Sequence, residues 1–230
     1  MALPQLSYIA IEGCIGVGKT TLSHLLAERF QARMVLEVVE ENPFLPEFYR
    51  DPKANAFKTQ IFFLLSRYKQ QESLAQGELF AATTLADYMF AKDRIFAELT
   101  LSDAELALYL EMFRVLNTRV PKPDLVLFLQ APIEVILQRI QKRGRSFERD
   151  IDPGYLRDLI GSYQRFFSRY RETPLLIVDT SDLNFPQRTE DVVAIVDAIG
   201  SCREGVHRLD ARGITAEPEL QLGEGTQRAG

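Results

Sequence analysis

The chain has little of what could hold a fold together covalently or through metal. It contains two cysteines, Cys14 and Cys202, far apart in sequence. Two such thiols make no disulfide framework, and their scarcity suits a reducing compartment. Two histidines complete the set of soft and borderline ligands, too sparse and scattered for a zinc cage. No apolar run approaches the roughly 20 residues that a membrane helix needs. The first residues, MALPQLSYIA, lack the basic and long apolar regions of a signal peptide. A soluble, cytoplasmic protein is the expectation. A large charge excess is also missing: the formal net charge is −5. Phosphate neutralisation along a nucleic acid needs a basic surface, so neither nucleic acid nor membrane is an expected partner. Local basic clusters could still hold a single nucleotide.

What is present is an ordinary globular composition, 46% apolar over 230 residues, enough for one α/β core. Short apolar stretches alternate with segments of helical periodicity. Strands are predicted at Ser7 to Glu12, Met34 to Val39, Leu79 to Leu85, Leu125 to Leu129 and Leu175 to Val178. Helices are predicted after the first strand, over Phe57 to Gln71, up to Phe96, over Ala104 to Asn117, from Pro132, over Tyr155 to Tyr170 and over Thr189 to Ile199. That alternation implies parallel strands with helices on both faces. From Ser201 onward apolar periodicity fades, which predicts a domain over residues 1–200 and a mobile tail over 201–230.

The most specific local signal is G-x-x-x-x-G-K-[ST], here Gly13, Cys14, Ile15, Gly16, Val17, Gly18, Lys19 and Thr20, with Thr21 following. Glycines let the backbone wrap an anion without Cβ clashes. The backbone N–H groups and the start of the next helix then face phosphate. Lys19 brings positive charge to the β- and γ-phosphates of ATP, and Thr20 offers a hydroxyl to Mg²⁺. The motif follows a predicted strand and precedes a predicted helix, the context it requires. No N-K-x-D segment is present to read guanine, so the GTPase reading falls away.

A second basic cluster gathers Arg139, Lys142, Arg143, Arg145 and Arg149, with Gly144 between two of the arginines. Alone, it reads as a solvated helix end. Beside a phosphate cradle it reads as a lid, since phosphoryl transfer needs donors that cover the migrating group and exclude water. Ligands of open parallel sheets lie beyond the C-terminal ends of the strands. The carboxylates expected there are Glu37, Glu40 and Glu41 after the second strand and Asp87 after the third; these residues alone do not choose among them.

Several segments together, IAIEGCIGVGKTTL, EVVEENPFLPEFY, FFLLSRYKQ, ADYMFAKDRIFAE, KPDLVLFL and RIQKRGRSFERDID, resemble the deoxynucleoside kinases, in particular their bacterial deoxyadenosine/deoxyguanosine kinase branch. The resemblance runs from about Tyr8 to Phe185. It implies a P-loop kinase fold: a five-stranded parallel sheet with helices on both faces and an arginine-rich lid, usually dimeric. It implies Glu37 as general base at the 5′-hydroxyl, Tyr49 and Glu148 on the deoxyribose 3′-hydroxyl, and Gln60 as a paired hydrogen-bonder to the base. Arg67 would stand near the base edge. Arg139, Arg143 and Arg145 match the lid arginines, with Arg139 and Arg143 on ATP, and Ser181 to Phe185 would pass near the adenine of ATP.

One segment departs from the animal pattern. Where that pattern has Glu-Arg-Ser, this chain has Ala86-Asp87-Tyr88. Asp87 then replaces the acid on the substrate and Mg²⁺ side. No arginine stands beside it, and Arg94 is the expected compensation. The activity implied is transfer from ATP to a deoxynucleoside, deoxyadenosine and/or deoxyguanosine. A nucleoside monophosphate kinase such as thymidylate kinase, or a nucleotide-binding subunit without turnover, would share the same cradle.

Overall fold

A computed structural model of the chain describes residues 6–75, 83–145, 148, 151–210 and 212–216. In chain order the elements are β1 (Tyr8–Gly13), α1 (Lys19–Phe30), β2 (Arg33–Val35), α2 (Leu45–Arg50), α3 (Pro52–Ala75), β3 (Thr84–Ala86), α4 (Lys92–Thr100) and α5 (Asp103–Asn117). There follow β4 (Leu125–Gln130), α6 (Ile133–Arg143), α7 (Pro153–Ser168), β5 (Leu175–Asp179), α8 (Thr189–Ser201), β6 (Val206–Asp210) and β7 (Gly213–Ala216).

The strands form one sheet in the order β2-β3-β1-β4-β5-β6-β7. All neighbouring pairs are parallel except β6 with β7. Strands β1 and β4 are central and buried on both faces, which explains why they read as near-continuous apolar runs rather than alternating ones. Helix α7 covers β4 through a stack of rings: Phe128 lies 4.2 Å from Phe167 between centroids and is also parallel to Tyr163. Asp152 starts α7 by accepting from the Gly154 and Tyr155 amides, and Pro153 fits the first turn.

The chain leaves β1 toward β3 on one side and returns to β4 on the other. The switch point therefore lies beyond the C-terminal end of β1, where a ligand crevice opens in such sheets. The ends of β1, β2 and β3 carry Glu12, Glu37 and Asp87 to that crevice.

Two expectations need correction, and part of a third lies outside the described residues. The second strand is shorter than predicted and ends at Val35. Beyond it the backbone leaves the ladder: the Leu36 carbonyl accepts from the Gln70 side chain, and the Glu37 amide donates to Asp87 Oδ1 at 2.7 Å. The third strand comprises Thr84–Ala86, while residues 79–82 of the predicted strand lie outside the described residues. The sheet has seven strands among the described residues, not five.

The two further strands come from the stretch read as a tail. Val206 and Leu209 are buried, and β6 pairs with β5 from Leu175↔Val206 to Val178↔Leu209. Two apolar residues in VHRLD are too few to signal a strand by periodicity. The exposed edge of β5 supplies the missing partner. Residues 217–230 lie outside the described residues.

Deleting the chain from Glu204 onward would uncover the β5 edge and lose the burial of Val206 and Leu209, each worth about 1.5–3 kcal/mol. The expected result is a melting temperature lower by roughly 10 °C. Calorimetry of the truncated chain checks it, and an unchanged transition would refute the structural role of β6 and β7.

Candidate active site

The loop between β1 and α1 is shaped by its glycines. Gly13 has φ 147°, and a Cβ there would lie 2.4 Å from the Leu129 carbonyl oxygen of β4. Gly18, at φ 112°, caps α1 and would meet the Phe185 ring at 2.9 Å. The loop is thus pinned between β4 and the 181–185 segment, which places that segment beside the cradle. Arg139 braces it further, donating to the Val17 carbonyl at 3.0 Å and to both Thr180 oxygens at 2.9 and 2.8 Å. Lys19 turns back to the Gly13 and Cys14 carbonyls at 2.7 and 3.1 Å. Burial, then the neighbouring Lys92 charge, lowers its pKa. Cys14 is buried and its thiol is pushed up to about 11 by burial, which suits a small loop residue rather than a redox group.

Facing the loop is a cavity lined by Lys19, Thr20, Glu37, Tyr49, Thr59, Gln60, Arg67, Asp87, Lys92, Arg143, Arg145 and Glu148, with Phe48, Phe63, Phe96 and Tyr155 among its apolar walls. Residues drawn from most of the chain meet here. Thr20 donates to Asp87 Oδ2 at 2.7 Å, and the other oxygen of Asp87 accepts from the Glu37 amide. One carboxylate therefore ties the cradle to the segment that carries Glu37.

The Glu37 carboxylate lies between two cations. Arg67 donates to Oε1 through Nε at 3.0 Å and through Nη2, and Lys92 Nζ donates to Oε2 at 2.6 Å. Burial would raise the pKa of Glu37, but Arg67 and Lys92 outweigh it and hold the carboxyl well below the usual range. Arg67 also forms an ion pair with Asp93, fully buried in the first turn of α4. Arg67, expected near the base edge, lines this cavity with its guanidinium between Glu37 and Asp93. One expectation changes here. Arg94, expected to compensate for the missing arginine, points outward to Glu98 at 2.5 Å because its position in α4 faces solvent. Lys92, two residues earlier, faces inward instead. Tyr88, which follows Asp87, acts at one remove: its hydroxyl donates to Gln70, whose amide holds the Leu36 carbonyl.

The remaining expected residues fall in four groups. Tyr49 and Glu148 both line the cavity, and burial, followed by the Glu148 charge, raises the Tyr49 pKa, so the phenol stays protonated. Arg143 bonds Glu148 through Nε at 3.1 Å and through Nη2, and Arg145 reaches Glu40 at 2.7 Å. Glu41 and Thr21 are exposed, and Arg149 lies outside the described residues. Gln60 is buried, with its amide nitrogen 3.4 Å from the Thr100 hydroxyl.

Sequence reasoning passed over Lys92, Asp93, Thr59, Thr100 and Glu12. Glu12 is fully buried and accepts from the Gly13 amide at 3.0 Å, the Met89 amide at 2.7 Å and the Tyr163 hydroxyl at 3.3 Å. Burial raises its pKa, opposed by Lys92 and Lys19. An acid closing an otherwise apolar strand was the available signal for Glu12. A lysine–aspartate pair inside the apolar run MFAKDRIFA was the signal for Lys92 and Asp93.

A mostly parallel sheet with a glycine-pinned phosphate loop at its switch point, and a carboxylate held between two cations in the same cavity as the loop lysine, defines a P-loop phosphotransferase. The comparisons narrow the class. The Deoxynucleoside kinase family model matches residues 9–201. The chain is 41% identical to deoxyguanosine kinase of Bacillus subtilis, over 76% of this chain and 86% of that one. It is 34% identical to deoxyadenosine kinase of Dictyostelium discoideum, over 81% and 78%. Its fold is similar to that of deoxyadenosine kinase from M. mycoides solved with dCMP and a flexible dCDP, at a TM-score of 0.74, 28% identity and 84% and 99% coverage. The chain belongs to the deoxynucleoside kinase family, and as such is an enzyme that phosphorylates deoxynucleosides.

Replacing Lys92 by Met would leave Glu37 Oε2 buried without its cation, a loss of about 3–5 kcal/mol of stability. The Glu37 pKa would rise toward its ordinary value. A depressed carboxylate keeps its contribution above its unfolded pKa and loses it as pH falls. The acid limb of kcat/KM, which reports the free enzyme, should therefore shift to higher pH in Lys92→Met. Superimposable acid limbs would rule out Lys92 as the group that holds Glu37 ionised.

Proposed function

We propose that the chain transfers the γ-phosphoryl group of ATP to the 5′-hydroxyl of a purine deoxynucleoside, deoxyadenosine and/or deoxyguanosine, with Glu37 at the acceptor. The observation that carries this reading is the placement of Glu37, ionised and with its side chain 11% exposed, in one cavity with Lys19 and Thr20 of the phosphate loop and with Tyr49, Gln60 and Glu148. The acceptor oxygen forms a bond to the γ-phosphorus as the bond to the β,γ-bridging oxygen breaks. ADP leaves, and the hydroxyl proton passes to a Glu37 oxygen. With a loose transition state little charge builds on the nucleophile early, so a weakly basic carboxylate acts first by orienting the hydroxyl.

Backbone amides of the loop after Gly13, with the start of α1, cradle the phosphates, and Lys19 leaves its carbonyl partners to meet the β- and γ-phosphates. Tyr49 donates to the sugar 3′-hydroxyl and Glu148 accepts from it. Mg²⁺ would be held by Thr20 and Asp87. Their oxygens are hard donors on the cradle's rim, and few protein ligands are what this ion takes beside phosphates. It would neutralise phosphate charge. Arg143 and Arg145 form the lid, joined by Arg139 at its base. Gly144 ends α6 at φ 71° with open space around it, which suits a hinge. When ATP binds, Arg143 exchanges Glu148 for phosphate oxygens.

The dimer reading is supported by Leu108 and Val115, exposed at 54% and 64% and two turns apart on one stripe of α5. The cytoplasmic reading is supported by two free, buried thiols.

A phosphorylation assay with the four natural deoxynucleosides and their 5′-monophosphates tests the whole reading. Deoxyadenosine or deoxyguanosine should be preferred over thymidine. Glu37→Gln should lower kcat by roughly 10²–10⁴ with the KM for ATP little changed. Thymidine winning would overturn the purine assignment, and phosphorylation of monophosphates alone would overturn the nucleoside assignment. Sedimentation at twice the monomer mass checks the dimer.

A further inference from the structure

The inner end of the cavity holds two polar atoms without partners. Gln60 Oε1 and Thr59 Oγ1 are buried and make no hydrogen bond, although both residues line the cavity. Buried polar atoms in that condition take a partner from whatever fills the cavity, water in the empty site and a ligand when one is bound. The other end of the Gln60 amide is engaged: Nε2 donates to Thr100 Oγ1 at 3.4 Å. The Thr100 hydroxyl in turn donates to the Phe96 carbonyl, one turn back in α4, at 2.8 Å.

This short chain of bonds has a direction. A threonine hydroxyl carries one proton, and the shorter contact commits it to Phe96. Thr100 Oγ1 can then only accept from Gln60. The amide must turn its nitrogen toward Thr100; the flipped amide would set Oε1 against an oxygen with no proton to give. Gln60 consequently presents a fixed order of acceptor and donor to whatever base enters.

That order matters for purines. Along positions 6 and 1, adenine offers a donor at N6 and an acceptor at N1. Guanine offers the reverse, an acceptor at O6 and a donor at N1. In one binding pose, one amide orientation suits the 6-amino purine and its flip suits the 6-oxo purine. We infer that Thr100 is a positioning residue for base selection: by locking the Gln60 amide, it sets the preference between a 6-amino and a 6-oxo purine deoxynucleoside. The inference rests on the nucleoside kinase reading above.

The test is the ratio of kcat/KM for deoxyadenosine to that for deoxyguanosine, measured for the natural chain, Thr100→Val and Thr100→Ser. Valine keeps the shape but cannot accept, so the amide is free to turn. The ratio should move toward one by about fivefold or more, with the KM for ATP unchanged. Serine keeps the hydroxyl and should keep the ratio. Thr100→Ala replaces the valine variant if that one does not fold. An unchanged ratio in Thr100→Val, an equal shift in Thr100→Ser, or a natural ratio already within about twofold of one overturns the inference alone. A natural chain that phosphorylates neither nucleoside overturns the kinase reading and this inference with it.

Discussion

The Glu37 carboxylate is the point on which the rest of the site depends. An ionised carboxyl at this depth survives only if cations meet it, and each cation comes from a different helix. Arg67 projects from α3 and Lys92 from the first turn of α4. Both helices must dock at the end of the sheet for the charge to be tolerated. Asp93 then balances the second face of Arg67, so the pair of helices is also joined by charge. Losing Arg67 leaves the Asp93 carboxylate without its cation, and losing Lys92 leaves one Glu37 oxygen without its cation.

The same economy of contacts joins chemistry to scaffold. Glu12 closes β1 by binding the amide of the first loop glycine and the amide of Met89, which precedes α4. Asp87 closes β3 by binding Thr20 of the loop and the amide of Glu37. Two carboxylates at two strand ends thus fix the phosphate loop, the segment that carries Glu37 and the helix that carries Lys92 relative to one another. Electrostatic catalysis depends on such groups being in place before the reaction. The arginines that end α6 show the opposite economy: Arg143 and Arg145 pair with Glu148 and Glu40 and are about one-third exposed.

The sheet extends beyond the matched family segment. That match ends at residue 201, where α8 ends, and β6 and β7 follow. Their addition covers the β5 edge far from the switch point. It changes what protects the sheet without changing the crevice.

Much of this was legible in the residues themselves. The phosphate loop was, because its chemistry lies in consecutive residues whose glycines need φ > 0 wherever the chain folds. The buried strands β1 and β4 were, since a run apolar on both faces has no other stable place. Family-like segments also placed Glu37, Tyr49, Gln60 and Glu148, and the structure brings all four to one cavity. What the sequence could not determine was which cation meets which acid. Arg94 and Lys92 are two residues apart in α4, and only the packing of that helix turns one outward and the other inward. Arg67 meets Glu37 because α3 passes beside the end of β2. VHRLD became a strand because β5 had an unpaired edge, a fact of topology and not of propensity. The sequence determined the local cradle and the burial of its strands; the tertiary structure decided every long-range pairing of charge, since a Coulomb partner is chosen by distance in space and by the dielectric around it.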